Sequence, residues 1–142
     1  MWRRVGLAAV VVMVALFAAY AAAVAWQSHV AANNERKANA NAEAIAQRFA
    51  GEAFMAVKQG PVTNESLRTL NPGPGVGMIR ARQSGSRILV TFEVTELYVI
   101  PGFTSEGEVE HCYSEAIDRH GRDVTASTSG LDCARIPVPG PS

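Results

Sequence analysis

The two cysteines of this 142-residue chain are the first residues to consider for chemistry. Cys112 and Cys133 are far apart in sequence, whereas thiol–disulfide enzymes typically carry a C-x-x-C pair. Structural zinc takes four ligands, and His111 and His120 could complete a set with the two sulfurs. His111 and Cys112 are neighbours, however, and neighbouring residues on a strand point to opposite faces. An even cysteine count outside the cytoplasm favours a structural Cys112–Cys133 disulfide.

Catalytic chemistry has one further set of candidates. Ser114, Asp118 and His120 have the residue types of a serine hydrolase, but no nucleophile-elbow pattern accompanies them. The sequence also lacks the lysine and spacing of a phosphate-binding loop. We therefore expect a non-enzymatic protein with no catalytic residues, no metal ligands and no cofactor.

Two groups of charged residues form a candidate partner surface. The acidic group is Glu106, Glu108 and Glu110. These glutamates alternate along the sequence, so in a strand their carboxylates would project from one face, but the spacing of a calcium-binding loop is absent. The basic group could contact anionic lipid head groups or an acidic partner. A solvated face is the alternative interpretation of both groups. The residues are Arg80, Arg82, Arg87, Glu106, Glu108 and Glu110.

An uncharged run at residues 5–26 predicts a membrane-spanning helix. A helix needs about 20 apolar residues to cross a bilayer, so the run is long enough to be an uncleaved signal-anchor. Trp26 suits the membrane interface at its end, and Arg3 and Arg4 suit the interface at its start. The alternative is a signal peptide cleaved near Ala25, which would release a secreted protein.

The positive-inside rule gives the orientation of this helix. Arg3 and Arg4 directly precede the apolar run, whereas the first basic residues after it are Arg36 and Lys37. Residues 1–4 should therefore be cytoplasmic and the rest extracytoplasmic, in a single-pass protein of the cell membrane. The lipid bilayer is thus the first expected partner.

Residues 27–59 predict a juxtamembrane amphipathic helix. They are rich in alanine and contain no proline, and Gly60-Pro61 ends the helix. Four asparagines in the first half predict fraying near the membrane. An apolar stripe could pack on the protein's own domain, or it could pair two copies through residues 30–57. The stripe comprises Ala38, Ala42, Ile45, Phe49, Ala53 and Ala56.

Residues 60–133 predict a small extracytoplasmic domain stapled by the disulfide. The domain begins with a short helical turn capped at Thr63 or Asn64. Alternating residues then predict strands at 76–83, 86–100, about 108–117 and about 123–128. Ser84-Gly85 predicts a hairpin turn between the first two strands. The fold class is α+β, with the amphipathic helix packed on an antiparallel meander of about four strands. Residues 134–142 predict a proline-rich flexible tail.

The charge balance excludes one class of partner. Residues 60–142 carry seven basic and ten acidic side chains, and a nucleic-acid interface needs clustered lysine and arginine. We therefore expect no nucleic acid among the partners.

The layout of a membrane helix that continues onto a small sheet, with a disulfide near the C-terminus, resembles that of type IV pilins. Their processing motif is a glycine followed by an apolar helix with glutamate at its fifth position. In this sequence Gly6 is followed by an apolar run, and the fifth residue of that run is Val11. Over the whole chain, the composition and the cysteine pair also resemble small single-pass cell-envelope membrane proteins of actinobacteria. That resemblance implies an anchored envelope protein and brings no site residues with it.

Two functional hypotheses follow from the sequence. The first is a membrane-anchored extracytoplasmic domain that binds or positions an envelope protein. The second is a structural subunit of a pilin-like or other helical membrane assembly, packed through its N-terminal helix.

Overall fold

A computed structural model describes residues 2–70, 73–102, 105–120 and 123–135 of the chain. The strands in this part form one sheet in the order β1-β2-β3-β4, and each is antiparallel to the next. This confirms the predicted α+β class, with a long apolar helix that continues onto an antiparallel meander. The elements are α1 (Trp2–Gln59), α2 (Asn64–Thr69), β1 (Val76–Ser84), β2 (Arg87–Val99), β3 (Glu106–His120), β4 (Asp123–Leu131) and a 3-10 turn at Cys133–Arg135.

Helix α1 is continuous, so the predicted membrane-spanning and juxtamembrane segments are two parts of one helix. Its side chains from Val10 to Trp26 are exposed, and Trp26 is 64% accessible. In the described part of the chain, this is the one helix that is long and apolar enough to cross a membrane by length and composition. The side chains of Arg3 and Arg4 lie outside the described part.

The second part of α1 packs its apolar stripe on the sheet. Phe49 is fully buried, and its ring meets that of Phe92 on β2 edge-on, at a centroid distance of 4.6 Å. Ile45 and Ala56 of the predicted stripe lie at its half-buried margins. The buried residues of this helix are Ala38, Ala42, Ala46, Phe49, Ala50, Ala53 and Val57.

The asparagines do not interrupt α1, which corrects the prediction that its first half frays. Asn34 donates to the carbonyl of Val99 (2.9 Å), and Oδ1 of Asn39 lies 2.6 Å from Nε2 of His111. These contacts join the helix to β2 and β3 at the end nearest the apolar run. Asparagine has a low helix propensity, but hydrogen bonds to the sheet compensate for it here.

The two sheet faces follow the predicted alternation. Ile88, Val90, Phe92 and Val94 are buried under α1, while Arg87, Leu89 and Thr91 lie on the opposite face. We call this second face the open face.

The first hairpin differs from the prediction by one residue. Ser84 pairs with Arg87, so the two-residue turn is Gly85-Ser86 instead of Ser84-Gly85. The positive φ of the first turn position (+60°) falls on Gly85, where it causes no steric strain.

The end of the chain is described only in part. Ala134 lies in the 3-10 turn, where its N–H donates to the carboxylate of Asp132 (3.1 Å). The remainder of the predicted tail, residues 136–142, lies outside the described residues.

Candidate functional site

The structure does not bring the predicted partner residues together. All six lie on the open face, but the sheet separates them into two groups. Arg82 and Arg87 lie beside the β1–β2 hairpin, whereas Glu106 pairs with Val99 and Glu108 with Leu97 at the other end of β2. The open face therefore has a basic end and an acidic end.

At the basic end, one guanidinium is held within the sheet. Nε and Nη2 of Arg87 donate to the two carboxylate oxygens of Asp118, at 2.8 and 2.9 Å. The hydrogen bonds from Arg87 lower the pKa of Asp118. This pair bridges β2 and β3 in solvent, so it aligns the strands more than it stabilises them.

The cysteines form a disulfide on the open face. Cys112 of β3 is buried, and its Cα lies 5.2 Å from that of Cys133, just beyond β4. A carboxylate oxygen of Glu110 lies within 4.8 Å of both sulfurs. Sulfurs joined to each other are not thiolates, which are the form that binds metals, so this group is not a metal site while the disulfide is intact.

The other ligand and catalytic combinations are not assembled. His111 lies on the helix side of the sheet, away from Cys112, as the strand alternation predicts. Ser114 and His120 are six positions apart on β3, which at about 3.3 Å per residue separates them by about 20 Å.

On the helix side, a groove runs between α1 and β4. Helix α1 lies mainly over the central strands β2 and β3 and makes fewer contacts with β4. The uncovered space is about 360 Å³. Its walls are Gln47, Ala50, Gly51 and Phe54 from the helix, with Glu115, Val124, Ala126 and Thr128 from the sheet.

Glu115 contributes the single ionisable side chain among these groove residues. It pairs with Val90 on one side and with Thr128 on the other, and it points toward α1. Only 2% of its surface is accessible, and Oε2 has no hydrogen-bond partner among the described residues. Burial raises the pKa of this carboxyl to about 7.

The outer edge of β4 is the second part of the site. Residues 124–131, VTASTSGL, contain no charged residue and no proline, and the side chains from Thr125 to Leu131 are exposed. No described strand pairs with this edge, since β4 is bonded only to β3. A long, uncharged edge of this kind can accept a further strand.

The other edge of the sheet is different. Strand β1 carries Arg80 and Arg82, has an irregular register between Gly77 and Arg80, and contacts α2. Charges and bulges are the devices that discourage strand addition. Of the two edges, β4 is therefore the one that carries fewer features against strand addition.

The sequence reasoning missed Glu115 and the β4 edge. A signal for Glu115 is present, because strand alternation places it between Tyr113 and Ile117, on the same face as buried Val109. A lone acidic residue at an apolar position of a strand indicates a buried carboxyl. Nothing local in the sequence shows that the helix leaves β4 largely uncovered.

Comparison of the chain with protein families, with curated proteins and with solved structures gives no match. The site must therefore be interpreted from its own chemistry.

Proposed function

We propose that this chain is a membrane-anchored, extracytoplasmic and non-enzymatic binding domain that takes an extended segment of an envelope protein along β4. One observation carries the proposal: an edge strand that is uncharged over eight residues, 124–131, lies beside a groove that the protein's own helix leaves open. Main-chain hydrogen bonds to the edge would supply affinity, and the groove would select side chains.

The anchor and orientation are part of the same proposal. The exposed apolar part of α1 acts as an uncleaved signal-anchor, with Arg3 and Arg4 on the cytoplasmic side. A disulfide is stable in the oxidising environment outside the cytoplasm, which supports the same placement of the domain. Cleavage near Ala25 would leave the domain intact but free of the membrane.

Burial of the helix stripe argues against self-pairing of the protein through residues 30–57. Ala42, Phe49 and Val57 are fully buried against the protein's own sheet, so this face of α1 is occupied. Pairing of two copies through residues 30–57 would have to use the polar side of the helix, which lacks the repeating apolar seam of a coiled coil.

Photo-crosslinking in native membranes tests the proposed docking. A crosslinking amino acid replaces Ser127 on β4 in the full-length chain, and a matched one replaces Gln83 on the charged edge; both positions are exposed. We expect Ser127 to crosslink to one continuous segment of a second protein, identified by mass spectrometry, and Gln83 not to do so.

An edge-blocking variant provides the control for this experiment. Thr125→Lys with Ser127→Lys places charges on β4 and should abolish capture from a crosslinker at Ser129. Gln83→Lys with Ser84→Lys on β1 should leave capture unchanged. Three outcomes would each contradict the proposal. They are equal capture from both edges, capture that persists in the variant with lysines on β4, and capture of the chain's own residues 136–142.

A further inference from the structure

The buried carboxyl in the groove lacks a structural explanation within the described part of the molecule. Buried acidic groups are normally paired with a cation or with several hydrogen-bond donors, because leaving them unpaired is destabilising. Glu115 has neither at Oε2, and among the other residues that line the groove only Gln47 and Thr128 are polar. An apolar residue would fill the position at lower energy, so the carboxylate is best explained by a ligand that pairs with it.

We propose that the segment docked along β4 carries an arginine or lysine whose cationic end pairs with Glu115 inside the groove. This inference rests on the proposed function and identifies the chemistry of its partner. Charge complementarity is the first reason, since the groove offers one carboxyl and no basic side chain among the residues that line it.

The distance to be covered selects a long side chain. Adjacent strands lie about 4.8 Å apart, so a segment added outside β4 would lie about 10 Å from β3, which carries Glu115. Its side chains on the helix side would cross over Ala126 or Thr128 to reach the carboxyl. Lysine and arginine are long enough, and short polar residues are not.

The walls of the groove suit the stem of such a side chain. Phe54 is half-buried on the helix side, and Val124 is half-buried on β4. Lysine and arginine bury their methylene stems on apolar surfaces of this kind while the charged end binds a polar group.

Among the residues that the structure describes, the charged groups near Glu115 do not supply the missing cation. Along β3, Tyr113 lies on one side of Glu115, with Glu43 of α1 nearby, and Arg119 lies on the other side. The guanidinium of Arg119 donates to the carbonyl of Gly60 (2.8 Å). Strands β2 and β4 contribute Val90 and Thr128 beside the carboxyl, which are uncharged.

The protonation of Glu115 makes binding depend on pH. Its pKa of about 7 in the free domain means that an incoming cation must displace a proton near neutrality. Binding of a basic segment should therefore strengthen as the pH rises from about 5 to about 8, because the carboxylate form becomes available.

Selection from a randomised peptide library tests the inference. Nine-residue peptides, the length of β4, are displayed on phage and selected against the full-length protein in lipid nanodiscs at about pH 8. Parallel selections use Glu115→Gln and the β4 variant Thr125→Lys with Ser127→Lys. We expect peptides that bind the wild type and do not bind the β4 variant. Arginine or lysine should be enriched at one position of these peptides, and this enrichment should disappear in the selection against Glu115→Gln.

The outcomes separate this inference from the proposed function. One outcome is a set of binders that depend on β4 but show no enrichment of arginine or lysine, or show the same enrichment with Glu115→Gln. That outcome would overturn the role of Glu115 and leave the proposed docking along β4 standing. A library that yields no binder dependent on β4 would overturn the docking edge itself, and the inference with it.

Affinity measurements on one selected peptide give the magnitude. Replacing its basic residue with glutamine should weaken binding at least about 10-fold at pH 8, as expected for loss of a charge-assisted contact. The same replacement should weaken binding by less than about 3-fold at pH 5, where Glu115 is protonated. An effect that does not change with pH would contradict the pairing.

Discussion

At the scale of single residues, Glu115 is the position where the proposed binding role conflicts with stability. The side chain is almost fully buried and carries a carboxyl whose charged form is disfavoured by its surroundings. A natural protein that retains such a group sacrifices stability at neutral pH. This is the pattern expected of a ligand-binding residue.

Replacing Glu115 with glutamine should stabilise the domain in a pH-dependent way. The pKa of this carboxyl rises from 4.5 to about 7 on folding, so the wild type loses stability as the pH increases through this range and loses no more above it. Each pKa unit corresponds to about 1.4 kcal/mol, so Glu115→Gln should gain up to about 3 kcal/mol over wild type at pH 8 and little at pH 4.

Urea unfolding of the full-length protein in detergent, followed by proteolysis of the unfolded domain, measures this difference. Glu108→Gln is the matched control, because Glu108 is exposed on the same strand. A stability gain that is equal at both pH values would mean that packing, and not the charge, causes the effect.

At the scale of elements, β4 is an edge strand that the rest of the domain covers sparsely. It pairs only with β3, contacts the helix little and has exposed side chains along most of its length. The disulfide compensates for this. Cys112 is the register partner of Leu131, the last residue of β4, and Cys133 follows two positions later. The covalent bond therefore holds the end of β4 against β3.

Removal of the disulfide should weaken this edge before the rest of the domain. A loop of about 20 residues closed by a disulfide contributes about 3 kcal/mol in the chain-entropy estimate. We expect Cys112→Ala with Cys133→Ala to lower the free energy of unfolding by about that amount and to reduce amide protection in β4 more than in β2.

Hydrogen exchange on the full-length protein in detergent checks this prediction. Reductant should reproduce the effect in the wild type and change nothing in the double variant. Uniform loss of protection across all four strands would show that the disulfide supports the whole domain and not its edge in particular.

At the scale of the whole molecule, the contacts of α1 fix where the domain lies relative to the apolar run at residues 5–26. The sheet lies along the helix, with Val99 beside Asn34 at one end and Arg119 beside Gly60 at the other. A Cβ at Gly102 would lie 2.7 Å from Nε2 of Gln27, which follows Trp26 directly. The β2–β3 connection therefore reaches the end of the apolar run, and the β1–β2 hairpin points away from it.

This arrangement also sets the charge pattern relative to the apolar run. The acidic end of the open face is proximal and the basic end is distal, since Glu106 pairs with Val99 and Arg87 starts β2. Two copies anchored in one membrane and facing each other would bring like charges together. The open face is therefore poorly suited to self-association within a membrane.

Labels in the two hairpins should report different distances from the lipid. Ser105 and Ser86 are both exposed serines at opposite ends of β2, which at about 3.4 Å per residue spans about 40 Å. Both native cysteines are in the disulfide, so Ser105→Cys and Ser86→Cys each introduce one reactive thiol.

Fluorescent labels on these thiols are measured in nanodiscs that contain brominated lipid. We expect the Ser105 label to be quenched and the Ser86 label to remain bright. Similar fluorescence from the two positions would contradict a domain that stands upright with its β2–β3 connection at the bilayer.

The sequence by itself determined the features that depend on local patterns. An uncharged run at residues 5–26 predicts the exposed apolar part of α1, and steps of three and four between apolar residues predict its buried stripe. Strand alternation placed Ile88, Val90, Phe92 and Val94 on the covered face. It placed Arg80, Arg82 and Arg87 on the open face. The two cysteines predicted their own pairing, because few alternatives exist for a single well-separated pair.

Only the tertiary structure decided the site. The groove exists because α1 crosses the central strands and leaves β4 largely uncovered, and Glu115 is unpaired because no described neighbour from another element reaches Oε2. Asn34 and Asn39, which by sequence predict fraying of the helix, instead contact the sheet for the same reason: their partners, Val99 and His111, are distant in sequence. Such relations depend on how elements pack, and periodicity within one element carries no information about them.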